Sequence, residues 1–250
     1  MIHMWILILI ILALVMEIID TSLGMMYGTI LSPILISNGF EPLIVIPAIL
    51  ISQAVGGISG TLSHQNFKNA DFKGLTMDTK IVLAMVIPGL LVVVLGVFAA
   101  VTFPNLIIKT YIGILVIIMS ALCISPIRYQ FAWWKHYVIG ILAAFNKALS
   151  GGGFGPVTST GGIIGGLKSK VSIATTTFAE VCICLGAFVV YLLLVGNLDV
   201  VFTVGLCIGS FIGGIFGPYL SSKISHNRLR KFIGILGILS GAWLLWRIMI

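Results

Sequence analysis

Four polar side chains lie inside otherwise apolar segments of this sequence: Asp20, Gln53, Lys147 and Glu180. Ionisable groups in a hydrocarbon environment are costly, and they usually line cavities, ion paths or proton relays. Lys147 could therefore bind an anion directly, or it could form a structural ion pair with Asp20 or Glu180. If Lys147 binds the anion, Glu180 or Asp20 could in addition couple its transport to a proton. Glu17 and Gln53 are weaker candidates, because Glu17 could reach the membrane surface and Gln53 could bond only to a neighbouring helix.

Two segments next to these side chains should interrupt a helix. The longer one is Asn146-Lys-Ala-Leu-Ser-Gly-Gly-Gly-Phe-Gly-Pro156, and its counterpart in the first half is Asp20-Thr-Ser-Leu-Gly-Met-Met-Tyr-Gly28. Gly and Pro weaken a helix by about 1 and 3 kcal/mol per residue relative to Ala. Within a membrane, such a break persists only inside protein or against a watery cavity. Gly24 and Gly28 alone fit close helix packing equally well, whereas packing does not require three consecutive glycines.

We therefore predict two helix–break–helix hairpins whose tips lie near the membrane midplane. The second helix of each hairpin would begin at the tip, where free N–H groups and the positive end of the helix dipole favour an anion. Thr176 lies four residues before Glu180, so both share one helix face. The predicted substrate-binding residues are Gly24, Gly28, Asn146, Lys147, Ser150, Gly151, Gly152, Gly153, Gly155 and Thr176. Coupling or gating is assigned to Asp20, Gln53 and Glu180.

The elements that must hold these residues are membrane helices. Hydrophobic residues make up 59% of the chain and charged residues 8%, whereas a soluble domain has about 25% charged residues. Each apolar run of roughly 20 residues can cross a hydrocarbon core about 30 Å thick. These runs are 43–63, 81–103, 106–126, 171–195, 200–221 and 232–249. The sequence thus predicts an all-α integral membrane protein with a single transmembrane domain over residues 1–250.

The chain also repeats itself. An offset of 127 positions places Gly24 on Gly151, and an offset of 121 places Tyr111-Ile-Gly-Ile-Leu on Phe232-Ile-Gly-Ile-Leu. We take residues 4–126 and 137–249 as two repeats, each a broken helical hairpin followed by three full transmembrane helices. The opening segments, 4–19 and 137–149, are short for a full crossing.

Charges in the loops predict the orientation of the two repeats. Loops 64–80, 126–136, 167–170 and 222–231 are basic, whereas the loops between them are not. Because cytoplasmic loops are enriched in Lys and Arg, alternate loops should lie inside. Loop 37–42 then aligns with basic loop 165–170, so equivalent loops fall on opposite sides. This is an inverted-topology repeat, which is typical of secondary transporters, and it places both termini outside.

The run from Asn146 to Pro156, followed by Lys170-Val-Ser-Ile-Ala-Thr-Thr-Thr, resembles the TauE/SafE family of sulfite exporter-like permeases. The likeness spans almost the whole chain and is strongest at 146–180. It implies a prokaryotic-type inner-membrane permease for sulfite, sulfoacetate, related sulfur-containing anions or other organic anions. The first break departs from the family pattern, since it reads Gly-Met-Met-Tyr-Gly instead of a run of glycines.

The residues leave two transport mechanisms open. One is a secondary transporter that moves a small anion by alternating access, with a proton as the candidate coupled ion. The other is an anion channel on the same scaffold, because both need dipoles and a cation at a constriction. An enzyme is disfavoured, since seven acidic residues and four dispersed His form no catalytic or metal-ligand pattern. We expect no cofactor, no metal and no nucleic acid, with membrane lipid and the anion as partners.

Overall fold

The computed structural model describes residues 2–125, 130–196 and 198–249, and every regular element within them is an α-helix. The first five helices are α1 (Ile2–Leu23), α2 (Tyr27–Ser37), α3 (Pro42–Asn66), α4 (Met77–Thr102) and α5 (Asn105–Ile124). The next five are α6 (Trp133–Ser150), α7 (Phe154–Ile164), α8 (Ser169–Val195), α9 (Val200–Lys223) and α10 (His226–Met249). The predicted all-α fold class is confirmed.

The ten helices form two series of the same order. Helices α1 to α5 have 22, 11, 25, 26 and 20 residues. Helices α6 to α10 have 18, 11, 27, 24 and 24 residues. Each series therefore opens with a helix, a short break and an 11-residue helix, followed by three longer helices. All six of the longer helices overlap the six apolar runs of the sequence.

Five helices in the described part of the chain are long and apolar enough to cross a membrane. They are Trp5–Leu23, Pro42–Asn66, Met77–Thr102, Ser169–Leu194 and Val200–Lys223. The first of these was expected to be a shorter segment, 4–19. Helix α1 instead continues to Leu23 and ends where Gly24 turns left-handed with φ +75°. Within its last turn, the hydroxyls of Thr21 and Ser22 pair with the carbonyl oxygens of Glu17 (2.7 Å) and Ile19 (3.0 Å).

The distribution of side chains is that of a protein surrounded by lipid. Large apolar side chains point outward, among them Leu193 and Leu91 with 80% and 76% of their surface exposed. Charged side chains such as Lys147 and Glu180 are buried instead. A surface of this kind cannot face water over several long helices, whereas it matches the hydrocarbon interior of a bilayer. The chain is a multi-pass membrane protein.

Helices α3 and α8 pack on each other, and each also packs on a helix of the other series: α3 on α9, and α8 on α4. Helix α1 lies along α9, α6 lies along α4, and α5 lies along α10. Glycine allows the closest of these approaches. A Cβ atom at Gly209 of α9 would clash with the backbone oxygen of Ile10 of α1, and a Cβ atom at Gly140 of α6 would clash with Met85 of α4.

Replacing Gly209 with Ala should destabilise the fold, whereas replacing Gly205 one turn earlier should not. A Cβ at Gly209 meets the Ile10 backbone oxygen, which cannot move without shifting α1, whereas the nearest atom to a Cβ at Gly205 is 3.7 Å away. Overpacking of this kind costs about 1–3 kcal/mol. Thermal unfolding in detergent measures the difference between the two variants. Equal unfolding temperatures for both would show that α1 and α9 are not in this contact.

Candidate functional site

The first break joins α1 to α2 through residues 24–26. Gly24 has φ +75°, a left-handed conformation that is accessible to glycine at little cost. Met26, the residue that precedes α2, has φ 112°. A non-glycine residue is uncommon in that half of conformational space, and holding one there costs about 1–3 kcal/mol. The first break is therefore maintained against local strain by the structure around it.

The second break joins α6 to α7 through residues 151–153. Gly151 ends α6 with φ +70°, and Gly153 precedes α7 with φ +73°. Gly153 lies 127 positions after Met26 and has the same role at the start of its helix. The first half has methionine where the second half has glycine, and its helix is nevertheless interrupted at the equivalent position. Met26 there has the positive φ that glycine adopts freely.

The two breaks are in direct contact. A Cβ atom at Gly152 would lie 2.9 Å from backbone atoms of Gly28 and Thr29, and one at Gly155 would lie 2.7 Å from the Cα atom of Met25. The N–H group of Gly153 donates to the Thr29 hydroxyl oxygen at 3.0 Å. Any side chain at these glycines would separate the breaks. The glycines therefore bring two pieces of non-helical backbone together in the protein interior.

Asp20 caps the start of α2. Its Oδ1 atom accepts a hydrogen bond from the backbone N–H of Tyr27 at 2.9 Å, and its side chain is buried. A carboxylate at this position compensates the positive end of the helix dipole. The start of α2 thus already binds a carboxyl group of the protein, that of Asp20. At the start of α7, by contrast, the N–H of Gly153 donates to the neutral hydroxyl of Thr29.

Lys147 lies at the centre of a buried polar network. Its Nζ atom is 2.9 Å from Oε1 of Glu180 and also bonds to Oε1 of Gln53. The Gln53 amide nitrogen donates to Glu180 Oε1 at 2.8 Å and to Asp20 Oδ2 at 3.3 Å. None of the four residues is more than 3% exposed. Helices α1, α3, α6 and α8 thus meet through one cation, two carboxylates and one amide.

The contacts of the network and of the breaks come in pairs related by the offset of 127 positions that separates Gln53 from Glu180. The bond between Asp20 and Gln53 corresponds to the bond between Lys147 and Glu180. The approach of Gly28 to Gly151 corresponds to that of Gly155 to Gly24. Residues that align in the sequence therefore make equivalent contacts.

Two further predicted residues, Asn146 and Thr176, have polar atoms without a protein partner. Both side-chain atoms of Asn146 and the hydroxyl of Thr176 are buried and make no hydrogen bond. The neighbours Thr175 and Thr177 bond to backbone oxygens one turn earlier, at 2.8 and 3.1 Å. Since buried polar groups are normally paired, Asn146 and Thr176 are suited to a polar group that is not part of the chain.

The structure also places the remaining predicted residue, Ser150, at the second break. Its hydroxyl accepts from the N–H of Gly152 at 3.2 Å and bonds to the carbonyl oxygen of Asn146 at 3.0 Å. Ser150 thus supports the break through local bonds. All the predicted site residues belong to the two breaks, to the network or to the adjoining turns of α2, α6, α7 and α8.

Sequence reasoning missed several polar partners. Thr29 contacts the second break, and the Tyr27 hydroxyl bonds to Ser52 at 2.8 Å. Glu17 does not reach the membrane surface; it is buried and bonds to Ser210 of α9 at 3.0 Å. The sequence did indicate a role for Glu17, because a carboxylate in an apolar segment is unusual. Single hydroxyl residues are common in apolar helices, so the sequence did not indicate a role for Thr29 or Ser52.

Comparison with known proteins places this geometry in a family. The sequence profile described as "Sulfite exporter TauE/SafE" matches residues 9–244. The chain is 26% identical over 234 residues to the "Probable membrane transporter protein YtnM" of Bacillus subtilis (strain 168). The matched region covers 87% of this chain and 75% of that protein. No solved structure matches. The chain belongs to the TauE/SafE family of membrane transporters.

Proposed function

We propose that this chain is a secondary transporter for small anions, and that the anion binds where the two breaks meet beside Lys147. Sulfite and sulfonates are the first substrates to consider, since the family is described as sulfite exporters. The site lies in the cytoplasmic membrane of a prokaryotic cell and becomes accessible from each side in turn.

The observation that carries the proposal is the position of Lys147. Its side chain is fully buried, and its backbone oxygen accepts the hydrogen bond from Gly151 that closes α6 at the second break, at 2.8 Å. A buried ammonium is very costly without a partner, so a chain that only needed a stable bundle would gain little from it. A lysine beside broken backbone is, however, suited to an anion that arrives and leaves.

Unpaired donors on the residue before Lys147, at the start of α7 and on α8 match the needs of a small oxyanion. The first N–H groups of α7 have no acceptor within their own helix, because the first turn of any helix lacks one. The Asn146 amide and the Thr176 hydroxyl are unpartnered. Backbone N–H groups, an amide, a hydroxyl and an ammonium together supply several hydrogen bonds to an oxyanion that loses its water.

Glu180, Gln53 and Asp20 provide a gate for this site. In the present structure Lys147 is engaged by Glu180 and Gln53. An anion that binds Lys147 must compete with the Glu180 carboxylate, and release of Glu180 frees the Gln53 amide, which also bonds to Asp20. Binding therefore changes contacts among four helices at once, which is the differential contact that a conformational change requires.

The paired contacts support a repeat over residues 4–126 and 137–249, and the loop charges favour its inverted form. Equivalent bonds occur at Asp20 with Gln53 and at Lys147 with Glu180. In transporters built from inverted repeats, one set of contacts can exchange for its equivalent as the site turns from one side to the other. Both termini lie outside in this arrangement.

Uptake of labelled sulfite into liposomes tests the site. Wild type should give saturable uptake that sulfate, thiosulfate and sulfoacetate reduce and an amino acid does not. Lys147→Ala should reduce uptake at least about tenfold, because a hydrogen bond to a charged group contributes about 1.5–3 kcal/mol. Gly152→Ala should also reduce it, since the added Cβ separates the breaks. Lys168→Ala, at an exposed lysine, is the matched control and should match wild type.

The pair Lys147→Met with Glu180→Gln separates anion binding from a structural ion pair. Removing both charges avoids leaving Glu180 unpaired, so the protein should fold. We expect a monodisperse protein without sulfite uptake. Uptake at the wild-type level in this double variant would show that Lys147 serves only the fold. Single-channel conductance steps in place of saturable flux would identify a channel.

Labelling of single cysteines from outside the cell tests the inverted topology. Asn38→Cys, Lys73→Cys and Lys168→Cys each lie at an exposed loop position. A membrane-impermeant maleimide should label Asn38→Cys in intact cells, because its loop is predicted outside. It should label the other two only after the membrane is opened, because basic loops are retained inside. Labelling of both Asn38→Cys and Lys168→Cys in intact cells would contradict the inverted repeat.

A further inference from the structure

Glu17 occupies a slot between three helices, apart from the Lys147 network. Its side chain is 1% exposed. A Cβ atom at Gly56 of α3 would lie 2.6 Å from the Glu17 carboxyl carbon, and one at Gly213 of α9 would lie 2.7 Å from Glu17 Cβ. The two glycines thus make room for a carboxyl group where α1, α3 and α9 pack.

The partners of Glu17 differ from those of the other buried carboxylates. Glu180 contacts the Lys147 ammonium, and Asp20 accepts from the Tyr27 backbone N–H and the Gln53 amide. Glu17 accepts from the Ser210 hydroxyl at 3.0 Å. In the part of the chain that the structure describes, no lysine or arginine lies within 4 Å of it. A buried carboxylate without a cation is costly, and accepting a proton removes that cost.

Several ionisable groups face Glu17 from the elements around it. Asp20 follows it by one turn on α1, and His64 lies on α3 one turn after Gly60, which packs on Thr21. The remaining groups that interact electrostatically with Glu17 are Tyr27 of α2, Lys147 of α6, and Glu180 and Cys184 of α8, and Cys207 of α9 lies near Tyr27. Among the described residues, the cation that interacts with Glu17 is Lys147, which is already bonded to Glu180 and Gln53. It is therefore not available to neutralise Glu17.

We propose that Glu17 is the proton-binding site that couples transport, an inference that rests on the proposed function. The proton passes from water to a carboxyl oxygen of Glu17 on one side of the membrane and returns to water on the other; one O–H bond forms and later breaks. The neutral acid fits the glycine slot between α1, α3 and α9. The carboxylate needs water, so its formation favours a state in which these helices separate.

The position of Glu17 on α1 links the proton to the anion site. One turn further along the same helix, Asp20 caps α2 and bonds to Gln53. A shift of α1 against α9 therefore moves the first break and the network together. Coupling requires that the proton and the anion bias the same two conformations, and α1 belongs to both sites.

Two measurements on the full-length protein test this proposal. The first is modification by dicyclohexylcarbodiimide, a hydrophobic reagent for protonated carboxyl groups, quantified by peptide mass spectrometry. Glu17 should be modified, and modification should fall by about tenfold per pH unit above its titration midpoint. The second is sulfite accumulation in liposomes driven by a pH gradient. Glu17→Gln should lose the gradient-driven part while keeping sulfite exchange within about twofold of wild type.

Glu41→Gln is the matched control, because Glu41 is an exposed glutamate at the start of α3, and it should behave as wild type in both measurements. All variants are measured in the same buffers, so any effect of pH on the protonation of sulfite is the same for each variant and does not change the comparison between them. Absence of Glu17 modification at every pH, or full gradient-driven accumulation by Glu17→Gln, would overturn the proposal. If wild type moves no sulfite, the proposed function fails for that anion, while the modification of Glu17 still decides whether it binds a proton.

Discussion

A lysine ammonium buried within a membrane protein must have partners, and much of this structure is arranged around that requirement. Lys147 binds Glu180 and Gln53, and Gln53 extends the network to Asp20. These partners belong to α1, α3 and α8, so the need to satisfy one charge on α6 determines how helices from both halves of the chain meet. Because Gln53 also bonds to Glu180 and Asp20, the loss of a bond to Lys147 alters contacts on the other three helices. In the transport mechanism that we propose, an anion competes for Lys147 and so shifts the packing of these four helices.

The broken backbone imposes a second requirement, which the glycines satisfy. Unpaired N–H and C=O groups are not tolerated in lipid, and here the two breaks cover each other, with Gly28 against Gly151 and Gly155 against Gly24. Close contact of this kind leaves no space for side chains. It also brings the start of α7 next to the end of α6, where Lys147 lies. The same glycines that protect the breaks from lipid thus hold the start of α7 against the end of the helix that carries Lys147.

Composition and hydrophobic run length were sufficient to predict the membrane helices, because both reflect the thickness and polarity of the bilayer. The interruption at Gly151 to Gly153 was predictable for a similar reason, since three glycines cannot sustain a helix. The length of α1 was not predictable from the apolar run, because the polar residues Asp20, Thr21 and Ser22 remain helical and the helix ends only before Gly24, where the backbone turns left-handed. The burial of Glu17 was likewise beyond sequence reasoning, since it depends on Gly56 and Gly213, which lie on other helices.

In the mechanism that we propose, a small anion binds between the second break and Lys147. Electron cryomicroscopy of the protein in lipid nanodiscs, with and without sulfite, tests it most directly. We expect density for sulfite within hydrogen-bonding distance of Lys147 Nζ and the start of α7, with Glu180 displaced from Lys147 when sulfite is present. Sulfite density at another position, with the bond between Lys147 and Glu180 unchanged, would contradict it.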